Sequence, residues 1–304
     1  MNAKFFQNKI ILSLTALFCC ALWGISTPIV KIGYAYLDAE HVPSLLLWVG
    51  IQFVLAGILT LSFSSASAKK LALPKRKSIK GVLIISFFQT VLQYTLLYIG
   101  LSNTSSVKGA ILKSTDVFFV ALLTSCVFRF EKLTLRKLIA CIMGFAGIVI
   151  MNLDGLSLNF NLQGDGVVLL AIFFYSFSVA LTGRFTQDED PVVLCGYQMA
   201  FGGVVVLLFG ALFGGSLDFI GMLPILLILA LIYAASYSLW TVLLKNNPAS
   251  RVIIYSFTTP IFGVIFSSFM LTEQSGVALT SLLSALVLVC VGILIWGKSG
   301  KTEK

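Results

Sequence analysis

The sequence predicts an all-α membrane protein with ten transmembrane helices, arranged as two inverted-topology repeats of five. Three observations predict it. The first is composition: of 304 residues, 58% are apolar and 11% charged, with a mean hydropathy of +1.00. A soluble protein carries roughly 25% charged residues, so too few polar groups remain here to wet the outside of a globule. The second is that the apolar residues fall in ten continuous runs, each near the ~20 residues that cross a hydrocarbon core. The third is that the chain resembles itself at a spacing of about 145 residues.

The composition excludes a soluble enzyme, a disordered regulator and a secreted disulfide scaffold. The net charge of +9 sits in short clusters between apolar runs, so no nucleic-acid partner is expected. All six cysteines lie inside apolar runs without paired metal-ligand spacing, and His41 is the one histidine. They read as small buried hydrophobes, and neither metal nor cofactor is expected.

The runs cover 10–33, 44–65, 81–101, 107–128, 135–152, 165–184, 191–213, 219–243, 251–271 and 276–297. The first follows Lys4 and Lys9, as a signal peptide would, yet it is too long for an h-region. Phe18 stands where a lipoprotein site wants a small residue before Cys19. A retained helix is expected. The longest polar interruption, 66–80, separates the second and third runs. The seventh opens on Asp188-Glu189-Asp190-Pro191, acids before a proline, which is a helix-start signal. The runs are continuous and about twice the length of a barrel strand. Helices satisfy their own backbone groups in lipid, and that decides the fold class.

Basic residues set the threading. With the N-terminus inside, 18 of the 21 fall in cytoplasmic segments: 1–9, 69–80, 129–137, 184, 245–251 and 298–304. Lys31, Lys108 and Lys113 are the other three, while Asp38, Glu40, Asp154, Asp165 and Asp218 lie outside. By the positive-inside rule both termini are cytoplasmic, in a multi-pass protein of the cell (inner) membrane.

The internal repeat is carried by Ser114-Thr115-Asp116-Val117-Phe118-Phe119 against Thr258-Thr259-Pro260-Ile261-Phe262-Gly263, each running on to a glutamate, Glu131 and Glu273. Gly147–Ile150 matches Gly292–Ile295, and Trp23–Lys31 matches Tyr175–Arg184 more weakly. The repeats occupy 1–155 and 156–304. Five helices per unit is odd, so the second copy starts on the opposite face. An axis in the membrane plane then relates them, as alternating access requires.

These residues, taken together, resemble the drug/metabolite transporter superfamily, specifically its EamA-type ten-helix exporters. The likeness spans essentially the whole chain. It rests on Trp23-Gly24 with Lys31, on Leu101-Ser102-Asn103-Thr104-Ser105, and on Glu131-Lys132-Leu133-Thr134. In the second half it rests on Asn247-Pro248-Ala249-Ser250, Tyr255-Ser256-Phe257, Pro260 and Glu273. The resemblance implies export of amino acids, nucleosides or other small metabolites, often against protons, through a cavity between helices 1, 3, 4, 6, 8 and 9. One departure stands out: the family usually has proline where Asp116 stands.

Asp116 falls near the membrane midplane and is too short to snorkel. A charge there costs roughly 2.5–3.5 kcal/mol on insertion scales. Lys113, at i and i+3 on a continuous helix, would share its face. Either the two form a static pair, or Asp116 carries a proton, or Lys113 binds a substrate carboxylate. Polar stripes at helical spacing supply further cavity candidates: Trp23, Ser26, Thr27 and Lys31; Gln89 and Gln93; Tyr175, Ser178 and Thr182; Tyr233, Ser236, Tyr237 and Trp240; Tyr255, Ser256, Thr258 and Thr259. Such a groove suits a small amphipathic solute. Pro28 and Pro260, inside helices, are hinge candidates. Glu131 and Glu273 read as caps or interfacial anchors. Helices 2, 5, 7 and 10 look blander, and Gly202-Gly203 and Gly210 suggest close packing.

With no H-E-x-x-H, G-x-S-x-G or P-loop in the chain, no enzymatic activity and no ATP-driven step are expected. The expected function is secondary active transport by alternating access: export of a small metabolite such as an amino acid, with proton antiport through Asp116. The alternative is a facilitative exchanger or channel-like permease for a nucleoside, sugar or drug. The expected partners are the small-molecule substrate and membrane lipid. One chain, with two halves, suffices as a monomer.

Overall fold

The computed structural model describes residues 3–69, 71–153, 159–271 and 279–299. Among them the chain is helical throughout; its sole bridge joins Leu37 to Leu217. Eight helices are long and apolar enough to cross a membrane: α1 (Lys9–Tyr36), α2 (Val42–Ala68), α3 (Arg76–Leu101), α4 (Lys108–Val127), α6 (Leu162–Phe185), α7 (Pro191–Leu212), α8 (Phe219–Asn246) and α9 (Ala249–Met270). Two more are apolar but shorter in this respect: α5 (Leu135–Met151) and α10 (Leu279–Ser299), the latter with an apolar part of Thr280–Trp296. The expected boundaries differ from these by a few residues, as frayed ends do. Glu273 lies outside the described residues.

Local chemistry explains the helix ends. Asn8, Ser105, Thr134, Asp190 and Asp218 each accept a hydrogen bond from an amide in the first turn they precede, which satisfies an otherwise orphaned donor. Pro191 occupies the first position of α7, where its missing N–H costs nothing.

Two trios and two pairs build the bundle. α1 packs with α8 and α9, and α6 packs with α3 and α4; α2 lies along α7, and α5 along α10. Both pairs close on glycine. On α2, Leu47, Gly50, Val54 and Gly57 meet Gly210, Leu207, Gly203 and Ala200 of α7. Rising numbers on one helix meet falling numbers on the other, so the pair is antiparallel. A β-carbon at Gly57 would lie 2.6 Å from the Ala200 nitrogen, and one at Gly203 2.7 Å from the Val54 nitrogen. The helices therefore touch backbone to backbone, which only glycine permits. α5 and α10 repeat the device: Gly147 meets Ala285 and Val289, and Gly292 meets Ala140 and Gly144. Among the described residues, the helices that look bland in sequence make the most extensive helix–helix contacts.

α4 is not one continuous helix. It runs over Ser106–Lys113, breaks, restarts at Asp116–Leu122 and ends in a π-helical stretch, Leu123–Val127. Two hydroxyls fold back on the backbone at the break. The Ser114 hydroxyl donates to the Ala110 carbonyl at 3.0 Å, and that of Thr115 to the Leu112 carbonyl at 2.6 Å. Such side chains offer the backbone an alternative to the helical ladder. A second π stretch, Ser86–Leu92, interrupts α3. Pro28 sits within an unbroken helix, whereas Pro260 sits in the first turn of Thr258–Met270, directly after a 3₁₀ stretch, Ile254–Phe257.

A buried brace ties α3, α4 and α6 at one end. Lys108 Nζ lies 3.0 Å from Asp165 Oδ2, with side-chain exposures of 14% and 3%. Asp165 also accepts from the Thr104 hydroxyl and from the Asn161 amide at 2.9 Å. Breaking one partner of a buried pair strands the other charge. Lys108→Met is thus expected to cost about 3–5 kcal/mol, read by denaturant unfolding of the purified protein. Lys108→Met/Asp165→Asn, which removes the stranded charge and keeps an acceptor oxygen for the Thr104 hydroxyl or the Asn161 amide, should recover part of the loss; a double variant as unstable as the single one would refute the account.

Candidate substrate site

An aromatic wall forms where the two trios face each other. Trp23 of α1 lies edge-on to Tyr237 and Trp240 of α8, with ring centroids 5.4 and 4.9 Å apart. Phe53 of α2 contacts Tyr94 at 4.7 Å and stacks on Tyr233 at 5.6 Å. The Tyr94 and Tyr237 hydroxyls are 2.9 Å apart, and the Tyr233 hydroxyl donates to Ser26 at 3.4 Å. Four sequence candidates, Trp23, Tyr233, Tyr237 and Trp240, are thus brought together. Phe53 and Tyr94 join them unforeseen. Tyr94 stands next to Gln93 in sequence, and an aromatic beside a buried amide was the available signal.

Polar atoms in this region are left over. Trp23 Nε1, Trp240 Nε1, Gln93 Oε1, Ser236 Oγ and Thr259 Oγ1 are buried without a hydrogen-bond partner. Buried polar groups are nearly always paired in a finished core. The two indoles belong to the ring cluster itself and offer N–H donors that water or a small solute could complete; Trp48, Thr60, Thr95 and Ser125 hold unpaired polar atoms as well.

Asp116 sits 7% exposed at the first position of its helical segment. Its carboxylate accepts from the Ser256 hydroxyl of α9 at 3.2 Å, and its carbonyl accepts from the Ser176 hydroxyl of α6 at 3.3 Å. No ion pair joins it to Lys113, which ends the preceding segment with its side chain exposed. Between them Ser114 and Thr115 form a tightened right-handed turn, with the Thr115 amide donating to the Leu112 carbonyl at 3.1 Å, and no direct ion pair closes across it. A carboxylate at a helix start gains roughly 0.3–1 kcal/mol, up to ~2 when partly buried. A hydrogen bond to a charged group adds about 1.5–3. Together these match the insertion cost, so no lysine is needed to hold Asp116 in place.

Other candidates are occupied elsewhere. The Ser178 hydroxyl donates to the Tyr175 carbonyl one turn back, at 2.7 Å. The Tyr255 hydroxyl meets Ser13 at 2.6 Å and braces α1 against α9. Gln89 is buried within the π stretch of α3. Thr27 and Lys31 are exposed. Glu131 pairs with buried Lys137 at 3.2 Å and accepts from Ser250. Among the described residues no group of three His, Cys, Asp or Glu could hold a metal ion.

The chain is similar to known proteins in sequence and in shape. The profile of the EamA-like transporter family matches residues 10–153 and 162–297. The uncharacterized transporter YvbV of Bacillus subtilis is 25% identical over 94% of this chain and 92% of its own length. The uncharacterized inner membrane transporter YedA of Escherichia coli K12 is 26% identical, over 89% and 88%. An uncharacterized transporter of Methanothermobacter thermautotrophicus is 25% identical over 73% of this chain and 66% of its own length. A protein crystal structure superposes on 96% of this chain and 99% of its own with a TM-score of 0.76; at 14% identity it speaks for the fold alone. Apolar helices of spanning length and a family profile covering both halves lead to one conclusion: this multi-pass membrane protein belongs to the EamA-like transporter family.

Proposed function

We propose that the chain is a secondary active carrier of the cell (inner) membrane, with both termini cytoplasmic. It exports small amphipathic metabolites such as amino acids, in exchange for protons carried on Asp116. In this reading α5 and α10 complete ten crossings, and the chain divides near residue 155 into two inverted five-helix units.

The observation that carries the reading is the recurrence of glycine at equivalent positions of the paired helices: Gly50 and Gly57 of α2 answer to Gly203 and Gly210 of α7, and Gly147 of α5 to Gly292 of α10. The contact Gly50–Leu207 has Val54–Gly203 as its image under one constant shift in numbering, and Gly57–Ala200 has Leu47–Gly210. The α5–α10 pair obeys a shift of its own: Gly147–Ala285 maps onto Ala140–Gly292. The trios exchange likewise, since α1 with α8 and α9 is the counterpart of α6 with α3 and α4. Antiparallel helices with such contacts fit a two-fold axis perpendicular to them, which lies in the plane of the membrane. Halves so related can open to either side at similar energy. The unpaired indole, amide and hydroxyl groups beside Asp116's trio supply the polar contacts of the solute, and the rings supply its apolar cover.

Counterflow in proteoliposomes tests the proposal. Vesicles loaded with unlabelled solute should concentrate labelled solute transiently, because exchange needs a site that alternates. The solute is first found by thermal shift against amino acids, nucleosides and sugars. Flux without counterflow, for every solute that shifts the unfolding temperature, would sink the carrier and favour a permease.

A further inference from the structure

Polar bonds between the two trios are placed unevenly. At the end of the bundle that holds the N-terminus, the Ser250 amide at the start of α9 donates to Glu131 Oε1 at 3.2 Å, and its hydroxyl donates to Oε2. Beside them Lys245, ending α8, donates to the Glu189 carbonyl beyond α6 at 2.6 Å. The Gln187 side chain returns a bond to the Lys245 carbonyl at 3.2 Å. Deeper in lie Ser256–Asp116 and Tyr94–Tyr237. At the opposite end, among the described residues, no hydrogen bond or ion pair joins residues 30–36, 219–230 or 265–271 to residues 96–113 or 162–170.

Burial follows the same division. No residue of Trp240–Leu244 or of Val252–Tyr255 is more than 7% exposed, so both stretches are packed on every side. Towards the opposite end of α1, Thr27, Lys31 and Tyr34 are exposed. They lie roughly 130° around the helix, at ~100° per residue, from the exposed apolar stripe of Ile10, Leu14, Phe18 and Ile32. The apolar stripe suits lipid. The second stripe, with its lysine and two hydroxyls, suits a water-filled vestibule.

We propose that Glu131 and Ser250 form the gate at the end of the bundle holding the termini, and that the structure has this gate closed with the vestibule open at the other end. The proposal rests on the alternating-access reading. The arrangement suits a contact that must break repeatedly. Lys137 pairs with Glu131 at 3.2 Å and donates to the Lys132 carbonyl at 2.9 Å, with its ammonium 5.6 Å from the centre of the Trp296 ring. All of these groups belong to α4, α5, α10 and the segment between α4 and α5, not to the trio that carries Ser250. When Ser250 leaves, Glu131 keeps its cation, so no buried charge is stranded and the cost of opening stays small. Lys137 is therefore a positioning residue, and Ser250 is the group released.

Two cysteine reporters test the gate, in protein with Cys126→Ser and Cys290→Ser reconstituted in nanodiscs. Val252→Cys reports the closed end, where the start of α9 packs on α4; Thr27→Cys reports the vestibule. Labelling by a membrane-impermeant maleimide should be slow at Val252→Cys and fast at Thr27→Cys. Glu131→Gln and Ser250→Ala should each speed Val252→Cys about tenfold, the effect of losing a hydrogen bond to a charged group, and should not speed Thr27→Cys. Ser250→Thr, which keeps the hydroxyl, should restore the slow rate. An unchanged Val252→Cys rate in both variants, or equal acceleration of the two reporters, overturns the gate. Labelling needs no substrate, so this result stands apart from counterflow: a shift in labelling without counterflow leaves the gate and removes the carrier.

Discussion

Asp116→Asn is expected to leave a folded protein whose efflux no longer responds to a pH gradient, while counterflow of unlabelled against labelled solute continues. The amide is nearly isosteric with the carboxyl, and its oxygen still accepts the Ser256 hydroxyl that now reaches Asp116 at 3.2 Å. What it cannot do is gain and lose a proton. A proton-coupled carrier must return with its site either protonated or loaded. A permanently neutral site can still return loaded, so exchange survives and net uphill movement falls to background. Proteoliposomes with an imposed pH jump provide the measurement. Undiminished gradient-driven efflux would remove Asp116 from the coupling step and leave the rest of the carrier proposal untouched.

Gly203→Val is expected to destabilise the α2–α7 pair strongly, as valine at Gly50, Gly57 or Gly210 would. Its β-carbon would lie 2.7 Å from the Val54 nitrogen and 3.0 Å from the Phe53 β-carbon. These neighbours are main chain or directly attached to it, so they cannot turn aside. Either the helices separate along their whole contact or the strain remains. Overpacking of this kind costs about 1–3 kcal/mol, occasionally more, and β-branching adds a small helix penalty. Gly263→Ala is the contrasting case: its β-carbon would find nothing nearer than the Thr27 hydroxyl at 3.6 Å. An alanine there should be neutral or slightly stabilising, because it removes glycine's backbone freedom in the unfolded chain. Unfolding midpoints in detergent separate the two. Equal midpoints would mean that the backbone contact of α2 and α7 is not what holds the pair.

The helical class and the position of nearly every helix were legible, because in lipid one rule dominates: the backbone must satisfy itself and the side chains must be greasy. Lys9–Gly33 and Pro191–Leu212 follow from that rule and their caps. The break before Asp116 was not legible, since neither glycine nor proline occupies 113–116. Two hydroxyls fold back on carbonyls there, but Ser176, Ser178 and Thr182 do the same in unbroken α6, so no residue type in the segment marks it. The position is the one where the resembling family carries proline. Of the site, the spacing of Tyr233, Tyr237 and Trp240 placed an aromatic face correctly on one side of α8, but partners on other helices follow only from packing. Lys108 and Asp165 were both on the outer side by charge counting, yet 57 residues separate them, and nothing local links them. Glycines were harder still: Gly50 and Gly57 gain meaning only beside Gly203 and Gly210, once α2 and α7 are known to touch.

The π-helical stretches have a consequence for the resting protein. They occur in α3, in α4 and at the start of α6 (Leu162–Gly166), whereas the described parts of α1, α8 and α9 hold none. A wider turn accommodates an additional residue and rotates everything beyond it, so the proposed mirror halves are not energetic twins. Two orientations of one carrier are equally populated only when their free energies coincide, and a bias of 1.4 kcal/mol already makes one of them tenfold rarer. If the halves alternate as proposed, unequal winding would give the empty transporter a preferred side on which to wait. Removing the surplus residue from a single turn would shift that preference without touching any atom that meets the cargo.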